Sequence, residues 1–421
     1  MRRRRILVLT PYPLLPAHSG GRLYALGTVT PVAHEHEFHL LALANASERE
    51  ELERGGDALR ADYATTFASV AFAERPPIPH ELRGRARKLR HFLTHAAYRL
   101  PLMDLSYYDP RAVALAKSIV RERGIDLLEI HHLHCAFYRR FLPDLPAVLI
   151  NHNIEQELWP FWPKTEGTAP DRWLWNGFGK LSRRFAHDIE IGNALHFDAK
   201  AFISTRDMAH VPEAPCPRFL VPMPVPPGPP VEPFARDRFR VLWIGGFGWP
   251  PNVEAITWFL DGVWPAVRAG ARVPVELHLV GSDPPDELRA RADGREIFVH
   301  GYVADVEPLR TRADAFVVPL LTGSGVRIKI VEALAAGLPV VSTSKGCEGL
   351  PLEPGDLLVA DEPADFAARL LELAGSVAMR EELGRAGRAY AARHHAPEVV
   401  AAAKRRVYQA LESRESARGA R

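Results

Sequence analysis

The chain has 421 residues, 47% of them hydrophobic and 25% charged, and a formal net charge of +2. This length suits two domains of ordinary size, and 53 basic against 51 acidic residues argue against a globally basic nucleic-acid-binding protein. The three cysteines, Cys135, Cys216 and Cys347, are odd in number and unclustered, which argues against a disulfide framework or a cysteine zinc site and is typical of a reducing cytoplasm.

The first predicted strand and the glycine loop after it begin the first domain. Residues 6–10 are a short apolar run of the kind that is buried in a parallel sheet. Prolines at positions 11, 13 and 16 interrupt the apolar stretch, so we do not interpret it as a signal peptide. Gly20 and Gly21 predict a loop that opens a helix from about Arg22, at a strand end where α/β proteins bind ligands. A flexible connection is the alternative.

Strands and helices alternate through the rest of this domain. Strands are predicted at 36–43, around 66–72, at 127–132 and at 147–152, with helices at 47–60 and 109–123 and a helix-rich segment at 155–200. The alternation indicates a doubly wound parallel sheet. No run of residues approaches the roughly 18 apolar residues of a membrane helix.

Four histidines lie at the predicted carboxyl ends of two neighbouring strands: His131, His132, His134 and His152. Active sites of α/β proteins lie at such strand ends. The spacing of these histidines is not that of a zinc site. We therefore expect His152 to contact or position a substrate, and a purely structural histidine is the alternative.

A basic segment at 80–100 interrupts this pattern. Its cations include Arg83, Arg85, Arg87 and Lys88, interspersed with apolar residues. A basic amphipathic helix of this kind binds an anionic membrane surface or an anionic acceptor. A solvated helix face is the alternative, and nucleic acid is not favoured because aromatic residues are not interleaved with the cations.

A proline-rich stretch separates the two predicted domains. Residues 221–237 contain seven prolines, as is typical of a linker. We expect a first domain at 1–221, a linker at 222–238, a second domain at 239–396, and a helix and tail at 397–421 that packs back on the first domain. Strands at 275–282, 296–303 and 314–321 make the second domain doubly wound as well.

The second domain offers two glycine turns after strands. Gly245 and Gly246 follow its first strand, without the spacing of a dinucleotide-binding fingerprint. The segment 319–349 then predicts a turn, a helix from near Val326 to Ala336, and a strand. Arg327 and Lys329 occupy the helix start, where the helix dipole disfavours cations and binds anions. A phosphate or diphosphate site is therefore predicted. The alternative is a solvated face on which Lys329 pairs with Glu332.

The motifs of the second half resemble those of a known family. IGGFGWPPNVEAITWF, LHLVGSDPP, VHGYVADV and, above all, PLLTGSGVRIKIVEALAAGLPVVSTSKGCEGL are similar to the group-1 glycosyltransferases, in particular to a branch that resembles exopolysaccharide sugar transferases. The resemblance implies the GT-B fold, in which two doubly wound Rossmann-like domains face each other across a cleft. It also implies retaining transfer from a nucleotide-sugar donor.

The same resemblance implies roles for individual residues. Glu332 binds the donor ribose, Arg327 and Lys329 bind the diphosphate, and His152 lines the reaction centre. The residues expected to bind the donor are Arg327, Lys329, Glu332, Gly325, Ser324, Gly245, Gly246, Gly20 and Gly21. Two positions depart from the family pattern: Ser324 stands eight residues before Glu332 where a second glutamate is common, and the usual Arg and Lys are missing from IGGFGWPPN.

These inferences together predict a cytoplasmic glycosyltransferase, at the inner face of the membrane if the basic segment binds lipid. Its partners are a nucleotide-sugar donor and a saccharide or lipid-linked acceptor, in cell-surface polysaccharide synthesis, with no nucleic acid. No D-x-D triplet is present, so we expect no metal cofactor. The alternatives are a nucleotide-sugar epimerase of similar fold and a non-catalytic nucleotide-sugar-binding protein.

Overall fold

The computed structural model describes residues 2–17, 19–76, 93, 94, 97, 99, 104–154, 169–211, 216–234, 237–323, 325 and 327–419. The predicted membrane or acceptor residues Arg83, Arg85, Arg87 and Lys88 lie outside this part of the chain, and so does Ser324. Two compact units are present. The first consists of Met1–Met223 with Val400–Arg421, and the second of Pro224–Val399.

The first unit is built on a parallel sheet of seven strands. In chain order these are β1 (Arg5–Thr10), β2 (Glu37–Ala44), β3 (Ser69–Glu74), β4 (Leu127–His131), β5 (Ala147–Asn151), β6 (Ala199–Phe202) and β7 (Arg218–Leu220). In space the order is β3-β2-β1-β4-β5-β6-β7. The central strands are mostly apolar, because both faces of a parallel sheet are covered, and Glu129 and His131 of β4 are buried exceptions. The sequence therefore predicts them without difficulty.

Helices connect these strands. They are α1 (Gly20–Val29), α2 (Ala46–Ala64), α3 (Pro110–Arg123), α4 (Ala169–Glu190) and α5 (Thr205–His210), with 3₁₀ segments at Thr30–Val32, Asp104–Tyr107 and Leu133–Phe141. Ser19 caps α1 by accepting a hydrogen bond from the Arg22 amide. Gly20 and Gly21 are therefore the first two residues of the helix, rather than a loop before a helix that begins at Arg22.

The second unit has a parallel sheet of six strands. They are β8 (Phe239–Ile244), β9 (Val275–Val280), β10 (Ile297–Gly301), β11 (Ala315–Val318), β12 (Val340–Ser342) and β13 (Leu358–Val359), in the spatial order β10-β9-β8-β11-β12-β13. The helices are α6 (Pro250–Trp258), α7 (Trp264–Gly270), α8 (Asp286–Arg289), α9 (Glu307–Arg310), α10 (Ile328–Ala336), α11 (Pro363–Gly375) and α12 (Val377–His395), with a π-helical turn at Phe259–Val263. Both units are thus doubly wound α/β domains, as predicted.

The last helix of the sequence, α13 (Pro397–Gly419), belongs to the first unit from Val400 onward. Lys404 lies 2.6 Å from both carboxylate oxygens of Glu129 on β4, and Arg405 pairs with Glu35 at 2.6 Å. None of the helices in the described ranges is long and apolar enough to span a membrane.

Each sheet has one point at which the strand order changes direction. In the first unit the chain winds from β1 outward to β3 and then restarts at β4, which lies on the other side of β1. In the second unit the same change occurs between β8 and β11. In open α/β sheets, ligands bind beyond the carboxyl ends of the strands at such points. The residues that follow β1, β4, β8 and β11 are therefore the first to consider for function.

Candidate active site

Two glycine-containing segments lie side by side at the switch point of the second domain. Gly245 and Gly246 follow β8, and the segment containing Gly323 and Gly325 follows β11, which pairs with β8. A Cβ atom on Gly245 would lie 2.9 Å from the ring of Trp243. Gly323 and Gly325 have φ values of 103° and 86°, a region that favours glycine. The backbone at this edge therefore tolerates few other residues.

Arg327 and Lys329 stand at the start of α10, next to this turn. The helix begins at Ile328, one residue after Arg327, whose φ and ψ of −86° and 85° are not helical. The predicted start near Val326 was therefore too early, and Arg327 precedes the first turn instead of forming part of it. A Cβ atom on Gly323 would come within 2.9 Å of Arg327 Nη2, so the guanidinium group lies against the glycine turn.

Lys329 points back under the first glycine turn. Its ammonium group donates a hydrogen bond to the Ile244 carbonyl oxygen at 3.0 Å and lies 5.0 Å from the ring centroid of Trp243, a cation–π contact. Burial, with a contribution from the charge of Arg327, lowers the pKa of Lys329 to about 7. The amine therefore changes its protonation state close to neutral pH.

Glu332 lies one turn further along α10. Its Oε2 atom is 3.7 Å from Arg310 Nη2 at the end of α9, and burial raises the pKa of this carboxyl group, against the charge of Arg310. The alternative prediction of a pair between Lys329 and Glu332 is wrong, because the lysine turns to a backbone carbonyl group and the glutamate pairs with an arginine.

The corresponding edge of the first domain carries the histidine cluster. His152, which directly follows β5, is buried, and its Nδ1 atom lies 3.5 Å from the Tyr12 hydroxyl group. A Cβ atom on Gly21 would be 2.2 Å from that hydroxyl and 3.6 Å from His152 Nδ1. A side chain at position 21 would therefore collide with Tyr12. The start of α1, the loop after β1 and His152 form one site.

The other predicted histidines gather around His152. His131 Nδ1 lies 3.1 Å from His152 Nε2, and the rings of His132 and His152 are 4.8 Å apart. His134 stacks on His132 with ring centroids 4.7 Å apart. Burial lowers the pKa of His152 well below its ordinary value, and the neighbouring histidines lower it further. The imidazole of His152 is therefore neutral at neutral pH.

His132 has an unusual backbone. Its φ and ψ are 75° and 142°, a region that only glycine adopts readily, at a cost of roughly 1–3 kcal/mol for other residues. Strain of this kind concentrates at functional sites. Within the ranges that the structure describes, no three His, Cys, Asp or Glu side chains are grouped so that they could hold a metal ion.

Sequence reasoning missed several residues at these two edges and in the interior behind them. They are Tyr12, Tyr24, Glu129, Lys404 and Tyr408 in the first domain and Arg310 in the second. Glu129 carried a usable signal, because it is a charged residue within the otherwise apolar strand LLEIH and a buried charge needs a partner. The partner, Lys404, is distant in sequence and could not be identified from spacing.

The comparisons with known proteins agree with this architecture. Residues 238–376 match the family model described as glycosyl transferases group 1. A 170-residue segment is 28% identical to an uncharacterized 44.6 kDa protein in the cps region of Klebsiella pneumoniae, covering 37% of this chain and 43% of that protein. A 144-residue segment is 33% identical to the phosphatidyl-myo-inositol mannosyltransferase of Mycobacterium leprae (strain TN), covering 32% and 38%. The matches thus span less than half the length of these two relatives.

Among solved structures, the Anabaena protein HepE in complex with UDP superposes with a TM-score of 0.64 at 14% identity, over 97% of this chain and 100% of that one. At this identity the likeness establishes the fold. The two parallel-sheet domains of this chain therefore have the GT-B fold, and residues 238–376 of the second domain match the group 1 glycosyl transferase family model.

Proposed function

We propose that the protein transfers a sugar from a nucleotide-sugar donor to a saccharide or lipid-linked acceptor. The observation that carries the proposal is the placement of Arg327 against the Gly323 turn and of Lys329 under the Gly245–Gly246 turn. These cations stand at the switch point of a domain that matches the group 1 glycosyl transferases. A diphosphate needs this combination of cations, close backbone approach and a helix start.

In this proposal, side chains of the protein stabilise the negative charge of the leaving diphosphate. Arg327 forms charge-assisted hydrogen bonds with the phosphates, and Lys329 adds a second positive charge under the glycine turn. Glu332, one turn along α10, accepts hydrogen bonds from the ribose hydroxyls. Transfer then requires no metal ion, so a chelator such as EDTA should leave the rate unchanged. Loss of activity in EDTA that Mg²⁺ restores would contradict this part of the proposal.

The acceptor class and the stereochemistry are proposed from similarity to known proteins. The similarity to the Mycobacterium mannosyltransferase supports a lipid acceptor and a hexosyl donor, and the similarity to a cps-region protein supports a role in cell-surface polysaccharide synthesis. Retention of configuration follows from the resemblance to the family.

We further propose that the segment with Arg83, Arg85, Arg87 and Lys88 contacts the inner face of the membrane. Neutralising these four residues should then abolish flotation with anionic liposomes, and unchanged flotation would contradict that contact.

A donor panel tests the activity. The protein is incubated with radiolabelled UDP-, GDP- and dTDP-sugars and a lipid extract from a polysaccharide-producing bacterium. Label in the extract supports sugar transfer, whereas isomerisation of the donor would indicate an epimerase. Tight binding of a donor with neither product would indicate a binding protein.

Variants of the second domain test the site itself. We expect Arg327→Ala and Glu332→Ala each to weaken binding of the accepted donor by about 1 kcal/mol or more, because each removes charge-assisted hydrogen bonds. Arg369→Ala is the matched control, since Arg369 is an exposed arginine of the same domain that pairs with Glu372 on α11. Isothermal titration calorimetry measures the affinities. Wild-type affinity in the two site variants would contradict the assignment.

A further inference from the structure

A continuous chain of hydrogen bonds runs through the interior of the first domain. The Glu129 carboxylate accepts hydrogen bonds from Lys404, at 2.6 Å to both oxygens, and from the Tyr408 hydroxyl, at 2.6 Å. His131 Nε2 lies 2.8 Å from Glu129 Oε1. On its other side, His131 Nδ1 lies 3.1 Å from His152 Nε2. The α13 helix is thus connected to His152, which lies at the carboxyl end of β5.

The sequence places these groups on facing surfaces. Glu129 and His131 are two residues apart on β4 and therefore point to the same face of the sheet. Lys404 and Tyr408 are four residues apart on α13 and therefore share one face of the helix. Glu129, His131, Lys404 and Tyr408 are all fully buried, with 0% exposure. In such an environment each polar group has to find a partner within the protein.

The direction of each hydrogen bond in this chain follows from which groups carry a proton and which can only accept one. Lysine and the tyrosine hydroxyl donate to Glu129, which is ionised: burial alone would raise its pKa, but the charge of Lys404 and the hydrogen bond from His131 lower it. A carboxylate only accepts, so His131 donates from Nε2. Burial lowers the pKa of His131, and a neutral imidazole has one N–H group. His131 Nδ1 therefore accepts, and His152 must donate from Nε2.

The remaining nitrogen of His152 then carries a lone pair. This atom, Nδ1, faces the Tyr12 hydroxyl group at 3.5 Å, at the outer limit of a hydrogen bond. It also faces the start of α1, where a Cβ atom on Gly21 would lie 3.6 Å away. The Tyr24 ring packs edge-on against the imidazole, with centroids 4.8 Å apart. The lone pair thus points to the ligand edge of the domain, where its one contact with the described residues is the long one to Tyr12.

We infer that Glu129 and His131 are positioning residues that hold His152 in the tautomer protonated at Nε2, so that Nδ1 accepts a hydrogen bond from a sugar hydroxyl group. Through Lys404 and Tyr408, α13 supplies the groups that keep Glu129 ionised and oriented. The role in sugar binding depends on the proposed glycosyl transfer, whereas the tautomer of His152 does not. This role involves no proton transfer. The tautomer only determines that Nδ1 is a hydrogen-bond acceptor, and therefore that the sugar hydroxyl group has to donate to it.

The tautomer is measured first, on the full chain without ligand. In protein labelled with ¹⁵N-histidine, long-range ¹H–¹⁵N correlation spectra distinguish the two neutral tautomers, and the signal that His152→Gln removes identifies His152. We expect protonation at Nε2. Protonation at Nδ1, or an equal mixture of both tautomers, would overturn the inference whatever the activity of the protein.

Two substitutions at His131 then separate positioning from folding. His131→Leu removes the acceptor for His152 but leaves Glu129 paired with Lys404 and Tyr408. His131→Asn keeps an acceptor oxygen near the position of Nδ1. We expect the leucine variant to lose the single tautomer and about tenfold in kcat/KM for the acceptor, the value of one hydrogen bond, with unchanged affinity for the donor nucleotide. The asparagine variant should restore both the tautomer and the rate.

The outcomes separate the two proposals. If the leucine variant loses the tautomer but transfers sugar as fast as wild type, the positioning role is wrong and the proposed transfer stands. If the wild type transfers no sugar from any donor, the proposed function fails, and the role of His152 in sugar binding fails with it. The spectra alone then decide the tautomer.

Discussion

At the scale of single residues, two features of its surroundings disfavour the charged form of Lys329. It is partly buried against Trp243 and lies near Arg327. Both effects destabilise the ammonium form, so its pKa of about 7 lies far below that of an ordinary lysine. A diphosphate bound at the glycine turn would add negative charge and raise this pKa again. Binding of the nucleotide should therefore be coupled to uptake of a proton.

The sign of the resulting pH dependence is determined by these shifts. Below about pH 7 the Lys329 amine is protonated in both the free and the nucleotide-bound protein. Above about pH 7 the free protein loses this proton, and binding has to take one up from solution, which weakens the affinity. We expect the affinity for a nucleoside diphosphate to fall by up to about tenfold per pH unit between about pH 7 and pH 9. Lys329→Arg should remove the dependence because arginine stays charged. Calorimetry at constant ionic strength measures it, and a flat wild-type profile would contradict the prediction.

His132 allows a second test at this scale. Glycine normally destabilises a fold relative to alanine, but His132 has a φ of 75°, where alanine is strained. Since both variants lose the same imidazole contacts, we expect His132→Gly to be more stable than His132→Ala by about 1 kcal/mol or more. Urea denaturation of the two variants measures the difference. An alanine variant of equal or greater stability would show that this backbone conformation is not strained.

At the scale of elements, the contact between α13 and β4 is electrostatic at its centre. Glu129 and Lys404 are both fully buried, and removing one partner leaves an uncompensated charge. We expect Glu129→Gln and Lys404→Met each to lower the free energy of unfolding by about 3–5 kcal/mol. The double variant should lose clearly less than the sum of the two, because neither charge is then left alone.

The next residue of the same helix supplies the control for this cycle. Arg405 pairs with Glu35 in a partly exposed position, where the side chains are 40% and 21% accessible. The corresponding cycle with Glu35→Gln and Arg405→Met should give a coupling energy below about 1 kcal/mol. Chemical denaturation measures both coupling energies. Equal values would contradict the expected difference between the buried pair and the partly exposed pair.

Elements were predictable where local pattern decides them. The end of α10 followed from Gly337, which adopts a left-handed conformation with φ of 79° and caps the helix. The short strands β6 and β7 were not predicted; β6 contains the polar residue Lys200 and begins at the end of the segment 155–200, which the sequence predicts to be helix-rich. Lys200 is nevertheless buried, and its amine donates to the carbonyl groups of Ile189 and Glu190 at the end of α4. Tertiary contacts of this kind leave no periodic signal.

The candidate sites show the same division. Gly245, Gly246, Arg327 and Lys329 were predictable because they are close in sequence to recognisable strand and helix ends. The direction in which the Lys329 side chain points was not predictable, since its acceptor is the carbonyl group of Ile244 at the end of β8, which is distant in sequence. The relation of His152 to Glu129 also depends on strand pairing between β4 and β5, which sequence spacing does not reveal.

At the scale of the whole molecule, the first unit is discontinuous in sequence, whereas the second is one continuous stretch. We therefore expect residues 224–399 to fold as an isolated fragment. Residues 1–223 alone would bury Glu129 without Lys404 and Tyr408 and should fold poorly. Addition of a peptide of residues 400–419 should restore protection against proteolysis. A fragment of residues 1–223 that is equally protected without the peptide would contradict this expectation.

The position of α13 also has a consequence for the order of events during synthesis. A ribosome completes the whole of the second unit before it reaches Lys404 and Tyr408. The first unit is synthesised earlier, but Glu129 has no charge partner until Lys404 and Tyr408 have been added. The second unit should therefore reach its native state before the first unit does, so that the two units mature in the reverse of their coding order.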